Sequence, residues 1–467
     1  MSLENTKHSP DELAAILAGV THLWFIGIGG VHMSALALLA RARGFHVAGS
    51  DRTENEHTAR LRHAGVTVFT GHDAAHMVGV EAVVYTIAIS PDNPEYRMAK
   101  SLSLPCFSRA DFLGFLSATF EGRIGIAGTH GKSTVTAMLG ETLWRVGRLP
   151  NVICGATMRA FEAPFFAGGG KEFIFEACEY SNSFLSLDPT LAVILNAELD
   201  HVDFFKSEDA LRESFATFAE NARTVLIPAE DEKLLCAIKK HGHTPVTFGL
   251  GRNADYRATA LEMNKTGYTF DLTTPTGTAG RITLSVPGLH NVKNALAAAA
   301  AALLCGVLPA DLLPALAAFR GVARRMEYKG IFCGASVYDD YAHHPTEIAA
   351  SLTAARALLG GGRLFTVFQS HTYTRTAAFS DEIAKALRAA DRVIVADIYA
   401  ARERAHLGVT ATGLAAAIGT HASYEGGLSD IVAALKRELA PGDLLVVMGA
   451  GDIDRIFTLF WTKDFTL

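Results

Sequence analysis

Charge is scarce in this chain. Asp, Glu, Lys and Arg make up 19% of its 467 residues, and 42 Lys+Arg against 48 Asp+Glu leave a net charge of −6. A basic nucleic-acid surface and a polybasic membrane patch are thereby excluded. Cysteine is sparse as well. Cys106, Cys154, Cys178, Cys236, Cys305 and Cys333 lie far apart with no C-x-x-C pair, so they read as reduced core thiols, not as disulfide staples or zinc ligands. Long apolar runs are missing. The longest, Ala295 to Leu308, covers 14 residues and stops at Pro309, whereas a membrane span needs about 20; a buried Ala-rich helix is expected instead. The opening residues MSLENTKHSPDEL contain no basic region followed by an apolar one, so no secretory signal is expected. What the chain does have is 49% apolar residues, which excludes disorder and fibrous character. At about 150 residues per domain, three domains of a soluble, cytoplasmic protein are expected.

The order of apolar segments supports that division. A strand over His22–Ile28 leads into a glycine-rich turn and a helix over Met33–Arg43, followed by strands at His46–Gly49 and Ala82–Ile87. Strands alternating with helices predict parallel βαβ units. A new strand, Arg123–Ala127, runs into another glycine-rich turn, and strands Glu172–Ala177 and Thr190–Asn196 follow, both finishing at polar residues. The stretch Tyr256 to Pro287 alternates as hairpins do, before a helix over Asn291–Leu304. After Arg324-Arg325 the pattern restarts, with strands at Ser336–Asp339, Leu364–Phe368, Val393–Ala396 and Leu444–Met448 and a helix over Pro345–Leu359. We therefore expect an α/β protein of three successive α/β domains, with boundaries 1–119, 120–325 and 326–467.

The turn Gly128-Thr129-His130-Gly131-Lys132-Ser133-Thr134 carries the most chemistry. Between a strand and a helix N-terminus, such a turn exposes consecutive backbone N–H groups that cradle anions. Lys132 would add a point charge on the β/γ-phosphates, and Ser133 or Thr134 a hydroxyl for Mg²⁺. The general phosphate-loop pattern asks for glycine at 126, where this chain has Ile126. Glu176 and Glu179 end one apolar strand, and His201 follows another in Asn196-Ala-Glu-Leu-Asp200-His201. Ligands of α/β sheets bind at such strand ends, and Mg²⁺ takes hard oxygen ligands there. The competing reading is a capped strand end.

The other motifs are less specific. Gly27-x-Gly29-Gly30 with Asp51, 24 residues after Gly27, has the outline of a dinucleotide fingerprint, but His32 takes the third glycine position. A packing turn explains it equally well. Asn291 and Asn294 fall on one helical face and could instead cap the helix. Asp339-Asp340-Tyr341-Ala342-His343-His344-Pro345 forms a polar loop between a strand and a helix; adjacent histidines point apart, which argues against zinc. In His371-Thr372-Tyr373-Thr374-Arg375, the arginine could clamp a carboxylate or simply be solvated. Gly449-Ala-Gly451-Asp452 is a further phosphate-loop possibility.

Taken in order, these motifs resemble the Mur ligases, ATP-dependent amide-bond ligases of peptidoglycan precursor synthesis. The resemblance runs from Gly27 to Asp452 and implies a Rossmann-like UDP-sugar-binding domain, a central P-loop ATPase-like domain and a C-terminal Rossmann-like amino-acid-binding domain. It further implies ATP and Mg²⁺ as cofactors and UDP-N-acetylmuramate and L-alanine as substrates of a monomer or weak homodimer. Gly27, Gly29, Gly30, Met33, Ser34, Asp51 and His72 would hold the UDP-sugar. Gly128, Thr129, His130, Gly131, Lys132, Ser133 and Thr134 would hold ATP phosphates, Asn291 and Asn294 the adenine, with Arg325 and Asp340 completing that site. Ser133, Thr134, Glu176 and His201 would bind Mg²⁺, and Lys132, Glu176, His201 and Arg325 would serve catalysis. His371 and Arg375 would face the amino acid; Thr372 stands where many members carry arginine. The alternatives are a ligase that attaches a recycled muropeptide to the same sugar nucleotide and, from another class, a nicotinamide-dependent oxidoreductase.

Overall fold

The structure, a computed structural model, describes residues 3, 5–6, 8–264, 266–401, 403 and 408–461. Two compact units divide the chain. The first runs up to Ala197 and adds Asp209–Ala254 and Ala297–Leu308; the second comprises Glu198–Glu208, Asp255–Leu296 and the residues from Pro309 onward.

The first unit contains a five-stranded parallel sheet in the order Thr67–Thr70, His46–Asp51, His22–Ile26, Ala82–Tyr85, Cys106–Ser108. In chain order that is 3-2-1-4-5, the Rossmann arrangement, whose topological switch lies beside the first strand. Leu23, Trp24, Phe25 and Ile26 are all buried, as expected for a parallel strand covered on both faces. The turn after this strand, Gly27–Gly30, therefore opens at the switch point. The same unit holds a larger sheet in the order Val246–Gly249, Thr224–Pro228, Leu191–Ile194, Gly122–Ala127, Glu172–Glu176, Asn151–Met158, Ala163–Ala167. Its first six strands are parallel and the last pairs antiparallel. The strand Gly122–Ala127 lies inside this sheet, and the helix Lys132–Arg145 leaves it.

The second unit contains the antiparallel strands Tyr256–Met263, Tyr268–Thr274 and Gly277–Thr283, which are the expected hairpins. Its six-stranded sheet runs Glu327–Phe332, Ala335–Asp340, Leu444–Met448, Leu364–Phe368, Arg392–Val395, Ala422–Tyr424, antiparallel only at the first pairing. Alternation along its central strands supplies two cores. Leu364, Phe368, Val446 and Met448 pack on one face with Ile348 and Leu387, while Phe365, Val367, Leu445 and Val447 pack on the other with Ile431 and Leu435. All six cysteines are free thiols, and among the described residues no helix is long and apolar enough to cross a membrane.

Candidate active site

The phosphate loop begins where its strand stops. Gly128 has φ +130°, and a Cβ there would lie 3.0 Å from both Leu195 Cβ and Leu195 N and 3.1 Å from Asn196 N. Gly131, at φ +85°, is the left-handed residue that starts the helix Lys132–Arg145. Glycine is needed at both positions, at the first for close backbone approach and at the second for the sign of φ. The loop is fastened to the neighbouring strand end by a reciprocal pair: His130 N donates to Asn196 Oδ1 at 2.9 Å, and Asn196 Nδ2 donates to His130 O at 3.0 Å. Lys132 Nζ donates to both carboxylate oxygens of Glu179, at 2.9 and 3.1 Å, and to the carbonyl of Thr129 at 3.1 Å. Burial works against its charge, but Glu179, Cys178 and Glu176 outweigh that and raise its pKa. Lys132 is therefore a fixed cation at the mouth of the loop.

Glu176 pairs in register with Ile126, two residues before Gly128, and is 6% exposed. Its Oε1 accepts the Gly155 N–H, and its Oε2 makes no hydrogen bond among the described residues. With the buried hydroxyl residues Ser133 and Thr134, this is a hard, partly unsatisfied oxygen set on the first unit, the kind of donor that suits Mg²⁺. His201 belongs to the second unit, at φ +50°, with its N–H on Asp200 Oδ1 at 2.7 Å.

At the switch point, Gly27 has φ +80° and Gly30 is the N-cap of the helix Val31–Ala42. Asp51 spends its carboxylate on the turn itself: Oδ2 accepts from Gly29 N at 2.9 Å and Oδ1 from Thr53 N at 3.2 Å. Met33 and Ser34 are buried in the helix, where Ser34 Oγ donates to Val31 O. His72 has a partner the sequence did not reveal. Its Nδ1 lies 2.8 Å from Ser50 Oγ and 3.5 Å from Glu95 Oε2. Glu95 is fully buried and also accepts from Trp24 Nε1 at 3.1 Å. Burial pushes this carboxyl up, but hydrogen bonds from His72, Ser50 and Trp24 hold it below its ordinary value. A glutamate in the first turn of a helix after Asn93-Pro94 reads as a dipole partner, so no local signal marks it as a buried anchor.

In the second unit, Asn291 and Asn294 are joined: Asn294 Nδ2 donates to Asn291 Oδ1 at 3.1 Å, and Asn291 Nδ2 donates to Pro287 O at 2.7 Å. Neither side-chain oxygen takes a cap bond from the helix start in those contacts. Arg325 lies over the Tyr341 ring at 5.3 Å and 3.4 Å from Glu347 Oε1. Asp340, buried, accepts from Met326 N and Ala342 N at 2.8 and 2.7 Å; burial pushes its carboxyl up to about 6 against the pull of Arg325. His290 is within the field of Arg325 and Glu347, and burial lowers it to about 4.

Arg375 is not solvated. It is 8% exposed, and its Nε and Nη2 grip Asp200 bidentately, both at 3.0 Å. Its Nη1 lies 3.0 Å from His371 Nδ1. Burial, with His343 and Arg375 nearby, lowers His371 to about 3. His343 and His344 do point apart, the first to Tyr341 O and the second to Leu199 O. In the Gly449–Asp452 turn, Gly449 O and Gly451 O accept from Arg324, and Asp452 Oδ1 accepts from Gln369.

The chain matches three family models in succession: the Mur ligase family catalytic domain over residues 22–121, the Mur ligase middle domain over 126–302 and the Mur ligase glutamate ligase domain over 324–451. It is 39% identical over 447 residues to the UDP-N-acetylmuramate–L-alanine ligase of Caldicellulosiruptor bescii, an alignment that covers 94% of this chain and 98% of that one. Among solved structures it is similar to the UDP-N-acetylmuramate–alanine ligase of Thermotoga maritima, with TM-score 0.81, 28% identity, and 94% and 98% of the two chains covered. A murein peptide ligase from Psychrobacter arcticus aligns with TM-score 0.72 at 26% identity over 94% and 98% of the chains.

Proposed function

The chain belongs to the Mur ligase family, and from that premise we infer that it is the ATP-dependent ligase that joins L-alanine to the lactyl carboxylate of UDP-N-acetylmuramate. One observation carries this reading, near-full-length identity of 39% to a ligase of that activity, and a phosphate loop whose lysine is held as a cation agrees with it. The nicotinamide alternative is disfavoured, because Asp51 is committed to the glycine turn and Lys132 would be left without a task.

In this reaction a carboxylate oxygen attacks the γ-phosphorus of ATP and ADP departs, giving an acyl phosphate. The amine of alanine then attacks the acyl carbon, and phosphate leaves. The difficulty is the approach of two anions. Gly128–Thr134 would cradle the phosphates through backbone N–H groups, and Lys132 would sit on the transferring group. Ser133, Thr134, Glu176 and His201 would hold Mg²⁺, which supplies neutralisation of the developing charge. Asn291 and Asn294 would present their amides to adenine, with Arg325 and Asp340 beside them. His371 and the Nη1 edge of Arg375 would face alanine. Gly27–Ser34, Asp51 and His72 would form the sugar-nucleotide site, Asp51 by shaping the turn and His72 oriented by Glu95. Three domains with boundaries at 119 and 325 would divide these tasks, and the cytoplasm supplies the nucleotides.

Phosphate release from ATP with Mg²⁺ and UDP-N-acetylmuramate tests the reading. Release on adding L-alanine, and not on adding a murein tripeptide, is expected. Release with the tripeptide alone would move the chain to the peptide-ligase alternative.

A further inference from the structure

Two polar side chains of the first unit, Arg109 and His32, leave nitrogen atoms without a protein partner among the described residues. Arg109 opens the helix Arg109–Ala118 behind its N-cap Ser108. It is partly buried, and its guanidinium has no hydrogen bond or ion pair among the described residues. His32, partly buried in the helix Val31–Ala42, has its Nε2 shut off from solvent with no hydrogen-bond partner. The two lie within electrostatic reach of each other and of the phosphate loop: His32 feels Arg109, Glu176 and Lys132, and Arg109 feels Cys178 and Glu176. Burial lowers His32 to about 4, so it is neutral near pH 7 and contributes a polar edge without charge.

The helix that carries Arg109 is tied down. It is fixed to the segment that follows Glu179, where Ser186 Oγ donates to Asp111 Oδ1 at 2.6 Å and Gly114 packs on the Ser186 carbonyl. A partly buried guanidinium with no protein partner among the described residues offers its N–H fork to an anion. Lys132 already has Glu179 as its counter-ion, and Glu176 forms no ion pair with Arg109 among the described residues. The fork geometry of a guanidinium matches a carboxylate with two parallel N–H bonds. Arg109 also follows the last strand of the sheet whose first turn is Gly27–Gly30.

We propose that Arg109 binds the carboxylate that is to be activated, with His32 Nε2 hydrogen-bonding to the same acyl group, so that the nucleophilic oxygen is presented to the phosphate held by Lys132. The proposal rests on the ligase reading and adds a substrate-binding residue to it.

The test compares two sugar nucleotides by calorimetry without ATP: UDP-N-acetylmuramate, and UDP-N-acetylglucosamine, which lacks the lactyl carboxylate. In the native chain the first should bind more tightly. Arg109→Met should weaken UDP-N-acetylmuramate roughly 10- to 100-fold, the value of one charged hydrogen-bonded contact, and leave UDP-N-acetylglucosamine unchanged. The latter binding also reports that the variant is folded. Arg109→Lys, which keeps the charge and loses the fork, should fall between the two, and it carries the test if the methionine variant does not fold. An unchanged ratio of affinities in a native chain that turns over overturns the proposal and leaves the ligase reading standing. A native chain that makes no product overturns the reading, and the proposal with it.

Discussion

Arg375→Met would strip a buried carboxylate of its counter-ion. Asp200 is 6% exposed and Arg375 8%, so solvent screens their pair little. Two parallel bonds of 3.0 Å join them. Burial alone would push the Asp200 carboxyl up, but Arg375 and His201 hold it far below the usual carboxylate range. Removing one partner of such a pair costs about 3–5 kcal/mol, because the other is left charged and unsatisfied. Asp200→Asn should cost a comparable amount for the opposite reason, while Arg375→Met with Asp200→Asn should cost less than the sum, with a coupling of about 1–3 kcal/mol. Amide hydrogen exchange along the helix Tyr373–Leu387 reads the local opening energy of each variant and closes the cycle. The sign with pH is also fixed. A carboxyl whose folded pKa is depressed stabilises above its unfolded pKa, and that share is lost as pH falls below about 4. Single variants within about 1 kcal/mol of the native chain, or strict additivity, would refute the reasoning.

Three further outcomes are expected. Lys132→Met should lower kcat by at least about 100-fold, measured as ADP formation, with UDP-N-acetylmuramate affinity little changed. Gly128→Ala should melt several degrees lower and lose turnover, since its Cβ would crowd Leu195 and Asn196 at about 3.0 Å from a left-handed backbone; an unaltered melting curve would contradict that geometry. His343 is held neutral, lowered to about 4 by burial against the pull of Glu347. The unfolded chain takes up a proton that the folded one refuses between about pH 6.5 and 4, so stability drops on acidification. The fall in melting temperature from pH 7 to pH 5 should therefore shrink in His343→Gln.

Leu364–Phe368, apolar but for Thr366, and the unbroken apolar run Leu444–Met448 were readable to the residue because each is buried on both faces. The phosphate loop was readable for a different reason: Gly131-Lys132-Ser133 between a strand and a helix is itself the device. The antiparallel pair Asn151–Met158 and Ala163–Ala167 escaped, since its connection contains no Asn-Gly or Asp-Gly signal. Partner choice was the least legible. Asp51 fits a ribose ligand and a turn anchor equally well in sequence, and the structure shows both oxygens on backbone N–H groups. Arg375 reads as a surface clamp until Asp200, 175 residues away, is found beside it. Glu95, His72 and Trp24 converge from three separate segments, a convergence that local patterns do not encode. Arg109, a charged residue at a helix start, has the most ordinary sequence context of all.

Carboxylate activation is tested most directly with UDP-N-acetylmuramate carrying heavy oxygen at both carboxylate positions. After one turnover with ATP, Mg²⁺ and L-alanine, mass spectrometry should find a single heavy oxygen in the released phosphate and the other in the new amide. Phosphate without label, alongside amide product, would mean that no acyl phosphate forms and would contradict the mechanism assigned to this site.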